Sequence, residues 1–251
     1  MTSWTDKGGT DVLHVNTATA LVTGANRGIG RALVEALLAR GARKVYATAR
    51  RIETLAGLTN DARVVALPLD ITDADQVAAA AAAAGDVTLL VNNGGSLEFA
   101  DLLGGELSAI HADLMTNYFG TLAVTRAFVP VLRRNGGGAI VNMSSLVALG
   151  AVPGMGGYGV SKAAVASMTQ AVRAQVAGAG IAVHGVFPGA VDTDMIRAFE
   201  IPKSSPADVA HAILVGVEAG DEDIFPDPMS RDGYQVWRDD PKTLERRMAS
   251  I

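Results

Sequence analysis

Tyr158 and Lys162, four residues apart, are a pair whose types and spacing could do chemistry together. On a helix, residues four apart share one face, so both side chains can address the same ligand. A free phenol ionises near pH 10, too high for acid–base work at neutral pH. A fixed ammonium about 4 Å away, at an effective dielectric near 20, favours the phenolate by on the order of 4 kcal/mol. The pair reads as a proton-transfer device in which Lys162 draws the Tyr158 phenol toward the range where general acid–base catalysis is efficient. Such pairs arise by chance on many helices, so neighbouring signals matter. Ser144 and Ser145 close the apolar run Ala139–Met143 upstream, and a serine hydroxyl there could donate to an oxygen on which charge develops.

A second motif lies near the start of the chain. Thr23-Gly24-Ala25-Asn26-Arg27-Gly28-Ile29-Gly30 joins an apolar run to a helical pattern. Glycines at such a junction let the backbone turn tightly and approach a pyrophosphate seated on the helix N-terminus. The spacing is T-G-x-x-x-G-x-G rather than G-x-G-x-x-G. The next apolar run, Lys44–Thr48, ends without the acidic residue that binds the ribose hydroxyls in an NAD site, and Ala49-Arg50-Arg51 follow. A carboxylate would repel a 2′-phosphate, whereas an arginine binds it through charge-assisted hydrogen bonds. With Arg27 in reach as a second cation, the expected cofactor is NADP(H) rather than NAD(H).

Over about residues 17–193 these motifs resemble the short-chain dehydrogenase/reductase family. The resemblance selects Ser145 over Ser144, because 13 residues separate Ser145 from Tyr158, the family's spacing. It implies the catalytic set Asn117, Ser145, Tyr158 and Lys162. Asn117, in Met115-Thr116-Asn117-Tyr118-Phe119-Gly120, is a poor helix former within a helical pattern. The family's asparagine at this place distorts the helix and holds a water that links the lysine to solvent. The implied cofactor contacts begin with Gly24, Asn26, Arg27, Gly28, Ile29, Gly30 and Arg50, and include Tyr158 and Lys162. Asp70, in Leu69-Asp70-Ile71, would accept from the adenine amine, with Ile71 beside it. Asn92-Asn93-Gly94-Gly95 resembles N-N-A-G, departing at Gly94, and contributes Asn92 and Gly94. Pro188, Gly189, Val191 and Thr193 match the P-G-x-V-x-T turn that holds the carboxamide end of the nicotinamide.

The resemblance implies hydride transfer between NADP(H) and a ketone/secondary-alcohol pair. Tyr158 would exchange the proton, Ser145 steady the oxygen, and Lys162 bind the ribose hydroxyls. No metal is needed, and His14, His111, His184 and His211 form no ligand spacing. The expected pocket residues Leu97, Leu146, Val147, Met155, Met195 and Phe199 are apolar, which favours a hydrophobic or aromatic ketone. The lid stretch Asp194 to Ser205 is short, implying an open, permissive pocket. One rival is a 3-oxoacyl-thioester reductase that docks an acyl carrier on Arg126, Arg133 and Arg134. Another is an NADPH-sensing protein without turnover, against which the four catalytic-type residues argue.

The elements that must position these residues alternate. Short apolar strands are expected at Thr19–Thr23, Lys44–Thr48, Val64–Leu67, Leu89–Asn92, Ala139–Met143, Ile181–Phe187 and Ile224–Phe225. Helices are expected at Gly28–Arg40, Asp73–Ala84, Glu106–Arg134 with Pro130 kinking its far part, Gly157–Ala177 and Pro206–Ala219. This alternation predicts a single-domain α/β Rossmann fold, a doubly wound parallel sheet of about seven strands with helices on both faces. Residues 1–15 read as a polar arm and 16–251 as one domain: a cofactor half over 16–135, a catalytic and substrate half over 136–227, and a charged tail over 228–251. That tail replaces the family's glycine-rich closing strand. It puts a tetramer in doubt and leaves a homodimer through 106–134 and 157–177 as the expected assembly. Of 251 residues 49% are hydrophobic, ample for a core, and the net charge of −5 argues against a nucleic-acid partner. The apolar stretch Val77–Ala84 is too short to span a membrane. The absence of cysteine excludes disulfides and thiolate chemistry and fits a cytoplasmic protein.

Overall fold

Seven apolar runs become seven strands in a computed structural model that describes residues 13–251. They are β1 (Thr19–Val22), β2 (Lys44–Ala49), β3 (Val64–Pro68), β4 (Leu89–Asn92), β5 (Gly138–Met143), β6 (Ile181–Val186) and β7 (Asp223–Ile224). All neighbours pair in parallel, in the order β3-β2-β1-β4-β5-β6-β7. The expected arm over 1–15 lies almost wholly outside the described residues.

Successive strand side chains point to opposite faces, and here both faces are buried. Ala20, Val22, Leu89, Val91, Ala139 and Val141 pack with α1 (Gly28–Ala39) and α6 (Pro206–Ala219). Leu21, Leu90 and Ile140, the residues between them, pack with α2 (Ala74–Ala83), α4 (Thr121–Arg134) and α5 (Gly156–Gln175). Asp73 caps α2, its carboxylate accepting from the Asp75 and Gln76 amides. The strand order reverses between β1 and β4, so the carboxyl ends of these strands open a crevice where ligands bind in such sheets.

Three sequence expectations are corrected. The helix expected over Glu106–Arg134 is α3 (Leu107–Asp113), a π-helical segment Leu114–Gly120, and α4. The break in the α-helical ladder falls at Asn117, in addition to Pro130, which lies inside α4. The charged tail folds as two helices, α7 (Pro228–Asp239) and α8 (Pro241–Met248). The last strand sits at Asp223–Ile224 rather than Ile224–Phe225, leaving Phe225 free to stack between Phe187 and Tyr234.

The α7–α8 pair is held for local reasons. Asp227 and Ser230 form a reciprocal capping box and Pro228 opens the helix. Leu244 and Met248 pack on Leu146 and Val152. The buried Asp227 also accepts from the Gly189 amide at 2.8 Å, tying the helix to the turn after β6. Asp227→Ala should therefore cost about 1–2 kcal/mol, lowering the thermal midpoint by roughly 2–8 °C for a chain of this size. Thermal melts of the two proteins check this; an unchanged midpoint would remove the tether from the account.

Candidate active site

The crevice is a cleft of about 980 Å³ along the carboxyl ends of the strands. At one end lies the glycine loop between β1 and α1. Gly24 and Gly28 have φ values of 64° and 53°, which favour glycine. Gly30 is constrained by space: a Cβ there would sit 2.2 Å from the Gly24 carbonyl oxygen and 2.4 Å from Asn93 Nδ2. Asn93 clamps the loop, its amide donating to the Thr23 and Gly24 carbonyls at 2.9 and 3.2 Å. Gly94 lines the cleft and donates its N–H to Thr23 Oγ1 at 2.8 Å.

Asn92 is placed elsewhere than expected. Following the strand alternation, its buried side chain enters the α4 face and donates to Thr125 Oγ1 and Asn142 Oδ1. It braces the sheet and does not line the cleft. Among the expected cofactor residues, Gly24, Asn26, Arg27, Gly28, Ile29, Gly30, Arg50, Asp70 and Ile71 all line this end. Arg50 and Arg27 are both exposed there, and Arg27 pairs with Asp194 of the lid stretch at 3.5 Å. Asp70 already accepts from the Thr72 amide and hydroxyl through Oδ1. Pro188, Gly189, Val191 and Thr193 line the far side.

Three of the four catalytic-type residues, Ser145, Tyr158 and Lys162, meet in the cleft, and Asn117 is buried next to them. Lys162 is buried and donates from Nζ to the Met143 carbonyl at 2.8 Å, with Nζ 5.5 Å from the centre of the Tyr158 ring. Ser144 fixes the α5 backbone, its hydroxyl donating to the Lys162 carbonyl. Ser145, the residue the spacing selected, lines the cleft with Tyr158 and Lys162. Asn117 is fully buried and does not line it. Its amide donates to the Ser96 carbonyl and Ser161 Oγ, while Oδ1 accepts from the Ser96 amide. The side chain thus clamps the loop after β4 onto α5. Gly95 is required by this clamp: a Cβ would come within 2.8 Å of Asn117 Oδ1 and 3.5 Å of Lys162 Nζ.

The expected electrostatics of the pair are reversed. Burial pushes the Tyr158 phenol up to about 12, the Ser145 hydroxyl draws it back, and the charge of Asp113 raises it. Burial lowers Lys162 to about 8 while Asp113 raises it. Removal of each group's charged form from water is the largest cause of both shifts. At neutral pH the phenol keeps its proton, the form that can donate one. Asp113, fully buried and outside the cleft lining, is a site residue the sequence reading missed, and Met229 and Met248 of the tail helices, which line the cleft, are others. The only signal for the tail residues was the Asp227-Pro228-Met229 stretch after the last strand; Asp113 carried none beyond its place four residues before Asn117.

Leu97, Leu146, Val147, Met155, Met195 and Phe199 all line the cleft beside Tyr158. Contacts hold the lid stretch in place. Phe199 stacks on Phe99 with centroids 5.4 Å apart, Val191 bridges Ser204, and Asp194 holds both Arg27 and Arg197.

The chain belongs to the short-chain dehydrogenase family, whose model matches residues 18–203. A short-chain dehydrogenase from Burkholderia cenocepacia, solved in complex with NADP, is 40% identical. It superposes with a TM-score of 0.90, covering 94% of this chain and 99% of that one. A dehydrogenase/reductase SDR family protein 7-like from Anopheles gambiae is 29% identical over 86% of this chain and 77% of its own length. Oxidoreductase BOA17 of Botryotinia fuckeliana is 33% identical over 69% of this chain and 65% of its own. The protein is an oxidoreductase of this family. Among the described residues no helix is long and apolar enough to cross a membrane, and no cluster of metal-binding side chains occurs.

The two groups make stability depend on pH in opposite directions. Lys162, at about 8 against an ordinary 10.5, binds fewer protons folded than unfolded, so its contribution rises with pH across that window. Tyr158, at about 12 against 10.0, binds more protons folded, so its contribution falls above pH 10. Urea midpoints of the wild type should therefore gain on those of Lys162→Met between pH 8 and 10; a constant difference would contradict the burial of a charged lysine.

Proposed function

We propose that this protein is an NADP(H)-dependent ketoreductase and alcohol dehydrogenase acting on hydrophobic or aromatic ketones and their secondary alcohols. The observation that carries this reading is the Tyr158 phenol beside the Ser145 hydroxyl in a cleft walled by Leu97, Leu146, Met155 and Phe199.

The cofactor end supports NADP(H). The Gly24–Gly30 cradle has no room for side chains where a pyrophosphate must approach, and Arg27 and Arg50 stand where a 2′-phosphate would need cations. The Burkholderia relative was solved with NADP. The cofactor, when bound, supplies the hydride. This chain's residues do the rest. Tyr158 gives its proton to the carbonyl oxygen, Ser145 donates a hydrogen bond to that oxygen, and Lys162 compensates the charge left on the phenol. The apolar walls exclude water and admit a substrate without charge. An acyl-carrier substrate is less well supported. Arg133 and Arg134 end α4, beside Asn135, which bonds the Gly85 and Val87 carbonyls ahead of β4. That is the end of the sheet away from the cleft.

The same reading takes the protein as cytoplasmic, in keeping with a chain free of cysteine, and as a homodimer. Phe119 and Val160, exposed apolar residues on the π segment and α5, support that assembly.

Tyr158→Phe should lower NADPH-dependent ketone reduction by about 10²- to 10⁴-fold while NADPH binding is kept. Turnover that survives the substitution would remove Tyr158 from proton transfer. Arg50→Ala should raise KM for NADPH on the order of 10- to 100-fold, as loss of a charged hydrogen bond does, and leave KM for NADH nearly unchanged. Equal effects on both cofactors would reassign Arg50.

A further inference from the structure

Asp113 ends α3 immediately before the π segment, fully buried, and its carboxylate accepts from Ser96 Oγ at 2.9 Å and from the Glu98 amide at 3.2 Å. No cation lies within ion-pair distance of it among the described residues. An ionised carboxylate held so deeply with only neutral donors is costly unless an opposite charge stands near. Burial raises the Asp113 carboxyl above its ordinary range, and the cation that draws it back down is Lys162. The two are linked through one short stretch of chain. Gly95 packs against Lys162 Nζ and Asn117, and Ser96 bonds Asn117 through its backbone and Asp113 through its hydroxyl. Lys162 in turn has one hydrogen-bond acceptor, the Met143 carbonyl, for its three N–H groups.

We propose that Asp113 is the buried counter-charge of Lys162, a positioning residue that keeps the lysine an ammonium beneath Tyr158 and seats the Ser96–Glu98 loop over both. The assignment rests on the proton-transfer reading of Tyr158 and Lys162, which needs a charged lysine at working pH. The groups acting on Asp113 are Ser96 and Glu98 from the loop after β4 and Lys162 from α5; Glu98 and His111 are themselves exposed. Asp113 is the one charge that acts on both Tyr158 and Lys162, and Ser145 is the other group acting on the phenol. Replacing the carboxylate with an amide removes a negative charge from both, so each must release its proton at lower pH.

The test needs neither substrate nor cofactor. The chain has five lysines, Lys7, Lys44, Lys162, Lys203 and Lys242, so carbon-13 labelling of the lysine side chains gives few signals, and Lys162→Met identifies the one of interest. In Asp113→Asn the Lys162 signal should titrate on the order of one pH unit lower than in the wild type, and the alkaline limb of any ketone reduction should move the same way. An unmoved Lys162 titration in a folded Asp113→Asn overturns the proposal and leaves Asp113 a loop anchor. If that variant fails to fold, Asp113→Glu decides: the charge is kept, so Lys162 should titrate as in the wild type even if turnover falls, and a shift as large as one unit overturns the proposal. Absence of ketone turnover would count against the ketoreductase reading without touching the lysine titration.

Discussion

A lysine ammonium buried against the carboxyl end of a parallel sheet is the constraint on which the rest of this structure depends. Charge removed from water must be compensated nearby, and each neighbour of Lys162 does part of that. The Met143 carbonyl at the end of β5 accepts a hydrogen bond from it, Ser144 holds its backbone, and Asn117 fixes the loop whose glycine leaves room for the Nζ. The helix that carries Asn117 departs from α-geometry over Leu114–Gly120, where this clamp is made. Packing on the sheet fixes α5, and α5 in turn fixes the spacing of Tyr158 and Lys162.

The sheet supplies the frame for the cofactor end by the same logic. Parallel pairing brings β1, β4 and β5 to a common edge, so a loop from residue 24 and a turn from residue 93 meet although far apart in sequence. Asn93 joins them through two carbonyls of the glycine loop. Asp227 does the corresponding service across the cleft for the turn after β6. The tail helices are thus part of the cleft wall as well as of its support.

Short-range patterns were the legible part. The Tyr158/Lys162 spacing, the glycine loop and the alternation of apolar runs depend on local geometry, and the strands they imply are present almost residue for residue. What was not legible depends on summed surroundings. The Tyr158 phenol was expected low because one charge was counted; the burial that raises it comes from many residues distant in sequence. The N-N-G-G motif permits a cofactor contact or a brace of the sheet at Asn92, and the two-residue period of a strand decides it by sending Asn92 into the sheet face and leaving Asn93 at the loop. Asp113 has no sequence signal of its own; it is buried in the fold, where the Ser96–Glu98 loop bonds its carboxylate. The α7–α8 helices carry many charges, and the apolar stripe through Leu244 and Met248 acquires meaning only beside Leu146.

The central claim, that this cleft joins proton donation by Tyr158 to reduction of a neutral ketone, is met most directly by label transfer. The protein would be incubated with NADPH deuterated at the transferring position and an aromatic ketone, and the product analysed by mass spectrometry. The account predicts one deuterium at the carbinol carbon, formed by the wild type and nearly absent with Tyr158→Phe. Oxidation of the cofactor without deuterium in an alcohol product, or labelled alcohol formed equally well by the phenylalanine variant, would contradict it.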